Sequence, residues 1–169
     1  MADFGGWSAV EELRAQGFEG FVAAGVLNRS RHLLPETPGV YVVLRLAAEA
    51  PHFLAVGTSG RYRDTDWNVG LDVLKQRWLP GEQVVYIGKA GGSETAATLR
   101  GRVSAYLGFG HGTRAGHRGG RYIWQLADGK DLVFCWRTTP GREPAEVEGE
   151  MIATFKARAG QWPFANCKD

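Results

Sequence analysis

The chain has 169 residues, 44% of them hydrophobic and 22% charged, and a net charge of +2. That length suits one domain with a real core, and that composition excludes a disordered chain. Two cysteines are too few for a disulfide or zinc framework, and no apolar run approaches the roughly 18 residues of a membrane helix, so a reduced, cytoplasmic setting without a membrane partner is expected.

Ser8 followed by Glu11 has the spacing of a capping box, so a short helix is expected through VEELRAQ, stopped by Gly17. Residues 18–34 mix apolar and polar positions and specify neither helix nor strand. Pro35 and Pro38 close this region, which makes residues 1–38 an N-terminal extension. Residues 39–46, GVYVVLRL, are β-branched and aromatic and follow Pro-Gly, so they predict a strand. LAAEAP predicts a turn, and HFLAVG at 52–57 a second strand. TSGRYRDTDWN is loop-like. LDVLKQRW, from Leu71, predicts a helical turn or two that ends at Pro80-Gly81.

VVYI at 84–87 predicts a strand ending in Gly88, and a helix pattern starts near Ala96. Residues 108–120, GFGHGTRAGHRGG, form the most irregular stretch, with His111, Arg114, His117 and Arg118 among glycines. Residues 95–127 contain no Asp or Glu but hold Arg100, Arg102, Arg114, Arg118 and Arg121, so a basic segment hides inside a modest net charge. His111 and His117 lack an acidic or cysteine companion and suit loop or phosphate contacts better than zinc. RYIWQL and DLVFCWR predict two strands joined through Asp128-Gly129, a hairpin signal. Trp124 and Trp136 fall inside them as core residues, whereas Trp67 is a loop anchor or a base-stacking residue. EPAEVEGEMIATFKARAG predicts a helix with Val147, Met151, Ile152 and Phe155 on one face, ended by Gly160. The tail QWPFANCKD follows.

One stretch concentrates the chemistry. Arg102 and Tyr106 are four apart, so they share a helix face. With Lys89 and Tyr86 at the preceding strand end they form a set suited to a phosphate group. The last helix offers three carboxylates, Glu146, Glu148 and Glu150, of which the spacing to Ile152 selects Glu148.

These residues resemble a known family. Gly39-Val40-Tyr41 is similar to the GIY element, and Tyr86-Ile87-Gly88 is the YIG element. L-x-x-R-x-x-x-Y (Leu99, Arg102, Tyr106), E-x-x-M-I (Glu148, Met151, Ile152) and P-x-x-N (Pro163, Asn166) follow in the order of a GIY-YIG endonuclease. YIGKA with RVSAYL is especially similar to the excision-repair branch of that family. The resemblance implies an α/β domain whose small central sheet, mixed or antiparallel, is flanked by helices. It differs in spacing, because roughly forty residues separate Tyr41 from Tyr86, which marks residues 46–82 as an insertion into a single domain spanning 1–169.

The resemblance further implies a metal-dependent endonuclease acting on nucleic acid, DNA before RNA. Glu148 holds one Mg²⁺ or Mn²⁺, and Arg102 neutralises the phosphate oxygens. Tyr41 is the expected general base, helped toward its phenolate by Lys89. Tyr86 and Tyr106 contact the water or the phosphate. Arg100, Arg114, His117, Arg118 and Arg121 are expected to bind substrate, and Asn166 either touches it or ties down the tail. The competing expectations are a catalytically idle nucleic-acid-binding module and a nuclease subunit active only within a larger complex.

Overall fold

The computed structural model describes residues 8–58, 66–111 and 120–166. The run GVYVVL becomes the central strand. All six of its residues are buried, because helices cover both faces, and a strand covered on both sides needs no polar alternation. In chain order the strands are β1 (Glu19–Ala23), β2 (Gly39–Leu44), β3 (Val84–Ala90) and β4 (Val133–Thr138). They pair in the order β1-β4-β2-β3, antiparallel throughout. The expected α/β domain with a small sheet between helices is present in that form, without parallel pairs.

The helices are α1 (Ala9–Ala15), α2 (Ala24–Leu27), α3 (Leu71–Arg77), α4 (Leu99–Gly110), α5 (Gly120–Ile123) and α6 (Pro144–Ala159). Val40, Val42, Leu44, Ile87 and Cys135 pack with Leu13 of α1 and with Val147 and Phe155 of α6. On the opposite face Tyr41, Val43, Val85, Phe134 and Trp136 pack with Leu99, Val103 and Tyr106 of α4. Local signals set the helix ends. Ser8 and Glu11 close a reciprocal capping box. Pro144 opens α6, and Gly160 ends it in the left-handed conformation at φ 79°. Among the described residues no helix is long and apolar enough to cross a membrane.

Residues 18–34 resolve into β1, α2 and a 3-10 turn at Arg31–Leu33. β1 contains a bulge at Phe21, whose φ is 57°. The insertion leaves the neighbouring strands paired, with Tyr41 opposite Gly88 and Val42 opposite Ile87. Its described parts fold back on the domain. The Leu54 amide donates to the Gln125 carbonyl at 2.7 Å, and Trp78 packs against Phe164 with ring centroids 5.2 Å apart.

Two expected strands are absent. RYIWQL is the helical turn α5, and HFLAVG keeps a single bridge, Phe53 with Leu126. The cause is side-chain packing around Trp124 and Gln125. The Trp124 indole lies against Gly110, and its Nε1 donates to the Tyr106 carbonyl at 3.2 Å. Gln125 is fully buried. Its Oε1 accepts from the Val69 amide at 2.6 Å, and its Nε2 donates to the Leu54 and Val69 carbonyls at 3.0 and 2.9 Å. An amide side chain thus satisfies backbone groups that a strand ladder would have used. With no strand before it, Asp128-Gly129 leads into a 3-10 turn, Gly129–Asp131, instead of a hairpin.

Candidate active site

Three tyrosines from three elements meet on the α4 face of the sheet. The Tyr41 ring lies 5.8 Å from Tyr86 and 6.2 Å from Tyr106, and Tyr86 lies 5.3 Å from Tyr106. The register of β2 and β3 makes this possible: Tyr41 pairs with Gly88 and Val43 with Tyr86, so Tyr41 and Tyr86 fall on one face of the sheet, and a bulge follows. Val43 pairs with Tyr86 and Leu44 with Val84, so Val85 is the extra residue. The bulge puts Val85 and Tyr86 against the same core. Gly88 leaves room for the rings, since a Cβ there would sit 2.6 Å from Tyr41 Cζ and from Tyr86 Cε1. Gly39 lets α4 approach, since a Cβ there would be 2.8 Å from the Leu99 side chain.

Charged side chains from three elements border the rings: Lys89 of β3, Arg102 of α4 and Glu148 of α6. Glu148 is half-buried, and burial raises its carboxyl above the usual range, opposed first by Lys89 and then by Arg102. Among the described residues the side chains of Lys89, Arg102 and Glu148 have no hydrogen bond and no ion pair within 4 Å, so their charges act on one another without being spent in a contact. By contrast Glu150, two residues on, is bound to Arg142 at 2.7 Å.

Tyr41 does not have the environment expected of a base. It is fully buried, and its phenol is pushed well above the ordinary value, first by burial and then by Tyr86. Arg102 opposes this, and the expected help from Lys89 is not among the causes. Burial thus disfavours the Tyr41 phenolate, and its hydroxyl is hydrogen-bonded with Tyr86.

The amides at the start of α4 take no part in anion binding. Leu99 and Arg100 donate to the carbonyls of Thr37 and Pro35, each at 2.9 Å, and Gly101 donates to Thr98 Oγ1 at 3.1 Å.

The expected substrate contacts divide into groups. Arg100 turns away to the 32–36 segment, donating to the Leu34 carbonyl at 3.0 Å and pairing with Glu36 at 2.6 Å. Arg121 lies over the rings of Trp67 and Tyr122, at 5.9 and 5.3 Å, which makes Trp67 a packed anchor edge-on to Phe109. Arg114, His117 and Arg118 lie outside the described residues. Asn166 is buried, and its side-chain amide closes on Ile87, accepting from the backbone N–H at 2.9 Å and donating to the carbonyl at 2.8 Å. Ala165 donates to the Val85 carbonyl at 2.9 Å. The tail thus covers the free edge of β3 beside Tyr86, and Asn166 positions the site.

Two further positioning residues were not anticipated. The Glu143 carboxylate accepts from the Ser93 amide at 3.0 Å and ties the loop after β3 to the start of α6. Arg77 donates to the carbonyls of Phe164 and Asn166, at 3.2 and 2.7 Å, and holds the tail.

Among the described residues no group of three His, Cys, Asp or Glu gathers to hold a metal ion. The donor set fits a hard divalent ion on one carboxylate oxygen donor, Glu148, with water and substrate oxygens as the remaining ligands. A separate groove of about 270 Å³ opens between α1 and α6 on the other face. Its cations are already engaged: Arg137 donates to the Gln16 carbonyl at 2.7 Å, and Arg158 binds Glu82 at 2.7 Å. No family model, curated protein or solved structure matches this chain.

Proposed function

We propose that the protein is a metal-dependent endonuclease of the GIY-YIG type, hydrolysing phosphodiester bonds of nucleic acid, DNA before RNA. The observation that carries this reading is the convergence of Lys89, Arg102 and Glu148 beside the tyrosine cluster without mutual pairing. A half-buried carboxylate left without a partner is costly to keep, and a module that only binds nucleic acid has no use for it.

Glu148 would hold a single Mg²⁺ or Mn²⁺. Such an ion, when bound, polarises a phosphate oxygen and lowers the pKa of attached water. Arg102 presents a planar fork to the non-bridging oxygens and offsets the charge that builds as water adds to phosphorus. Lys89 brings a second cation to the same phosphate. The half-buried Tyr86 presents its hydroxyl to the attacking water or the phosphate, whereas Tyr106, expected to do the same, is fully buried like Tyr41, and both rings hold Tyr86 in place. The attacking water gives up a proton to solvent as its oxygen bonds to phosphorus, the bond from phosphorus to the 3′ oxygen breaks, and that oxygen takes up a proton from solvent. The products carry a 5′-phosphate and a 3′-hydroxyl. The acid-free basic segment at residues 95–127 supports a polyanionic substrate.

The test is cleavage of single-stranded, duplex, flap and junction DNA and of RNA, with Mg²⁺, Mn²⁺ or EDTA. Cleavage that requires the metal and favours DNA is expected. Binding without cleavage in either metal contradicts the enzyme reading and supports an idle module or a subunit that needs a partner.

A further inference from the structure

A second cationic position lies on the helix that carries Glu148. Lys156 is exposed, and its Nζ sits 4.5 Å from the centre of the Trp162 ring. Eight residues separate Lys156 from Glu148, about 12 Å along the helix axis. Lys156 has no ion pair among the described residues, whereas Arg158 next to it is taken by Glu12 at 3.7 Å and Glu82 at 2.7 Å. Residues 151–168 contain no Asp or Glu, so nothing in this stretch competes for the ammonium. The Trp162 ring is half-buried at the head of the tail, whose next residues are clamped to β3 and to Arg77. A lysine resting on a held aromatic face has fewer orientations to lose when it meets an anion.

We infer that Lys156, seated on Trp162, is a second backbone-phosphate contact for nucleic acid, two helical turns from Glu148. This rests on the nucleic-acid reading above and deepens it. A strand that follows α6 from Glu148 passes Lys156 about three to four nucleotides from the scissile phosphate, at 3.4 Å per nucleotide along a duplex. Lys156 contacts the backbone and reads no base. Trp162 acts through it as a positioning residue.

The test is binding of a labelled DNA oligonucleotide in EDTA, measured across a salt series for wild type, Lys156→Ala, Lys156→Arg and Trp162→Leu. One phosphate contact fewer makes the Lys156→Ala affinity fall about 3.5-fold less than wild type between 50 and 200 mM salt. Lys156→Arg restores the wild-type slope, and Trp162→Leu, once shown to be folded by circular dichroism, lies between. Substrates trimmed to two nucleotides beyond the cut on that side lose the difference between wild type and Lys156→Ala. A Lys156→Ala slope equal to wild type, in a protein that still binds and cleaves, overturns this inference alone. A wild-type protein that neither binds nor cleaves nucleic acid overturns it together with the nuclease reading.

Discussion

Glu148 carries the cost of the site. Burial holds its carboxyl above the ordinary range despite Lys89 and Arg102. The folded protein therefore binds this proton more tightly than the unfolded chain. Its contribution to stability is complete below the ordinary glutamate value and is lost as pH rises through the raised folded value. At neutral pH the ionised side chain weakens the fold. Glu148→Gln keeps the shape without the charge, so it is predicted to melt above wild type at pH 7, with the gap closing toward pH 4. Thermal melts at the two pH values check this, and a variant that melts no higher at pH 7 contradicts it. A group that lowers stability where it sits, and that the proposed reaction requires, follows the general exchange of stability for function. Cys135 illustrates the opposite case, a buried thiol pushed up to about 12 that is inert packing.

At the scale of elements, the tyrosine cluster depends on strand register and on an absent side chain. Gly88→Ala would place a Cβ 2.6 Å from both Tyr41 and Tyr86. Such overpacking costs about 1–3 kcal/mol, and the displaced rings should also lower the cleavage rate. Gly149 on α6 has nothing within 4 Å of an added Cβ. Gly149→Ala is therefore predicted to stabilise the protein by about 0.5–1 kcal/mol. Urea unfolding of the two variants separates a glycine needed for close approach from one that merely sits in a helix. Equal effects would contradict the packing account. The tail is the second such element. Asn166→Ala leaves the Ile87 N–H and carbonyl buried without partners, a loss of about 1–3 kcal/mol. Hydrogen exchange should show that loss first at the Ile87 amide, and an Ile87 amide as protected as in wild type argues against the clamp.

Across the whole molecule, the parts that could be read in advance are those whose structure is local. The strands β2, β3 and β4 show in β-branched and aromatic runs, and α6 in its apolar face and its Pro and Gly ends. Tyr41, Tyr86, Arg102 and Glu148 were legible because each occupies a fixed place in such an element. What stayed hidden depends on contacts between distant residues. RYIWQL has the composition of a strand, yet Gln125 and Trp124 spend their polar groups on residues 54, 69 and 106 and turn it into helix. Arg100 looked like a phosphate ligand until its partners in the 32–36 segment were in view. The expected help of Lys89 to Tyr41 failed for a similar reason, because burial is a property of the assembled core.

On the proposed function, the side chains of Lys89, Arg102 and Glu148 are unpaired because a phosphodiester completes them. The most direct test is the single-turnover cleavage rate, at saturating enzyme, of wild type, Glu148→Gln and Arg102→Ala on the preferred substrate with Mg²⁺. Each variant is predicted to remain folded, to bind substrate, and to lose about 10²-fold or more in rate, the scale seen when one group that stabilises transition-state charge is removed. Rates within a few-fold of wild type in folded variants would contradict the account and place the chemistry elsewhere.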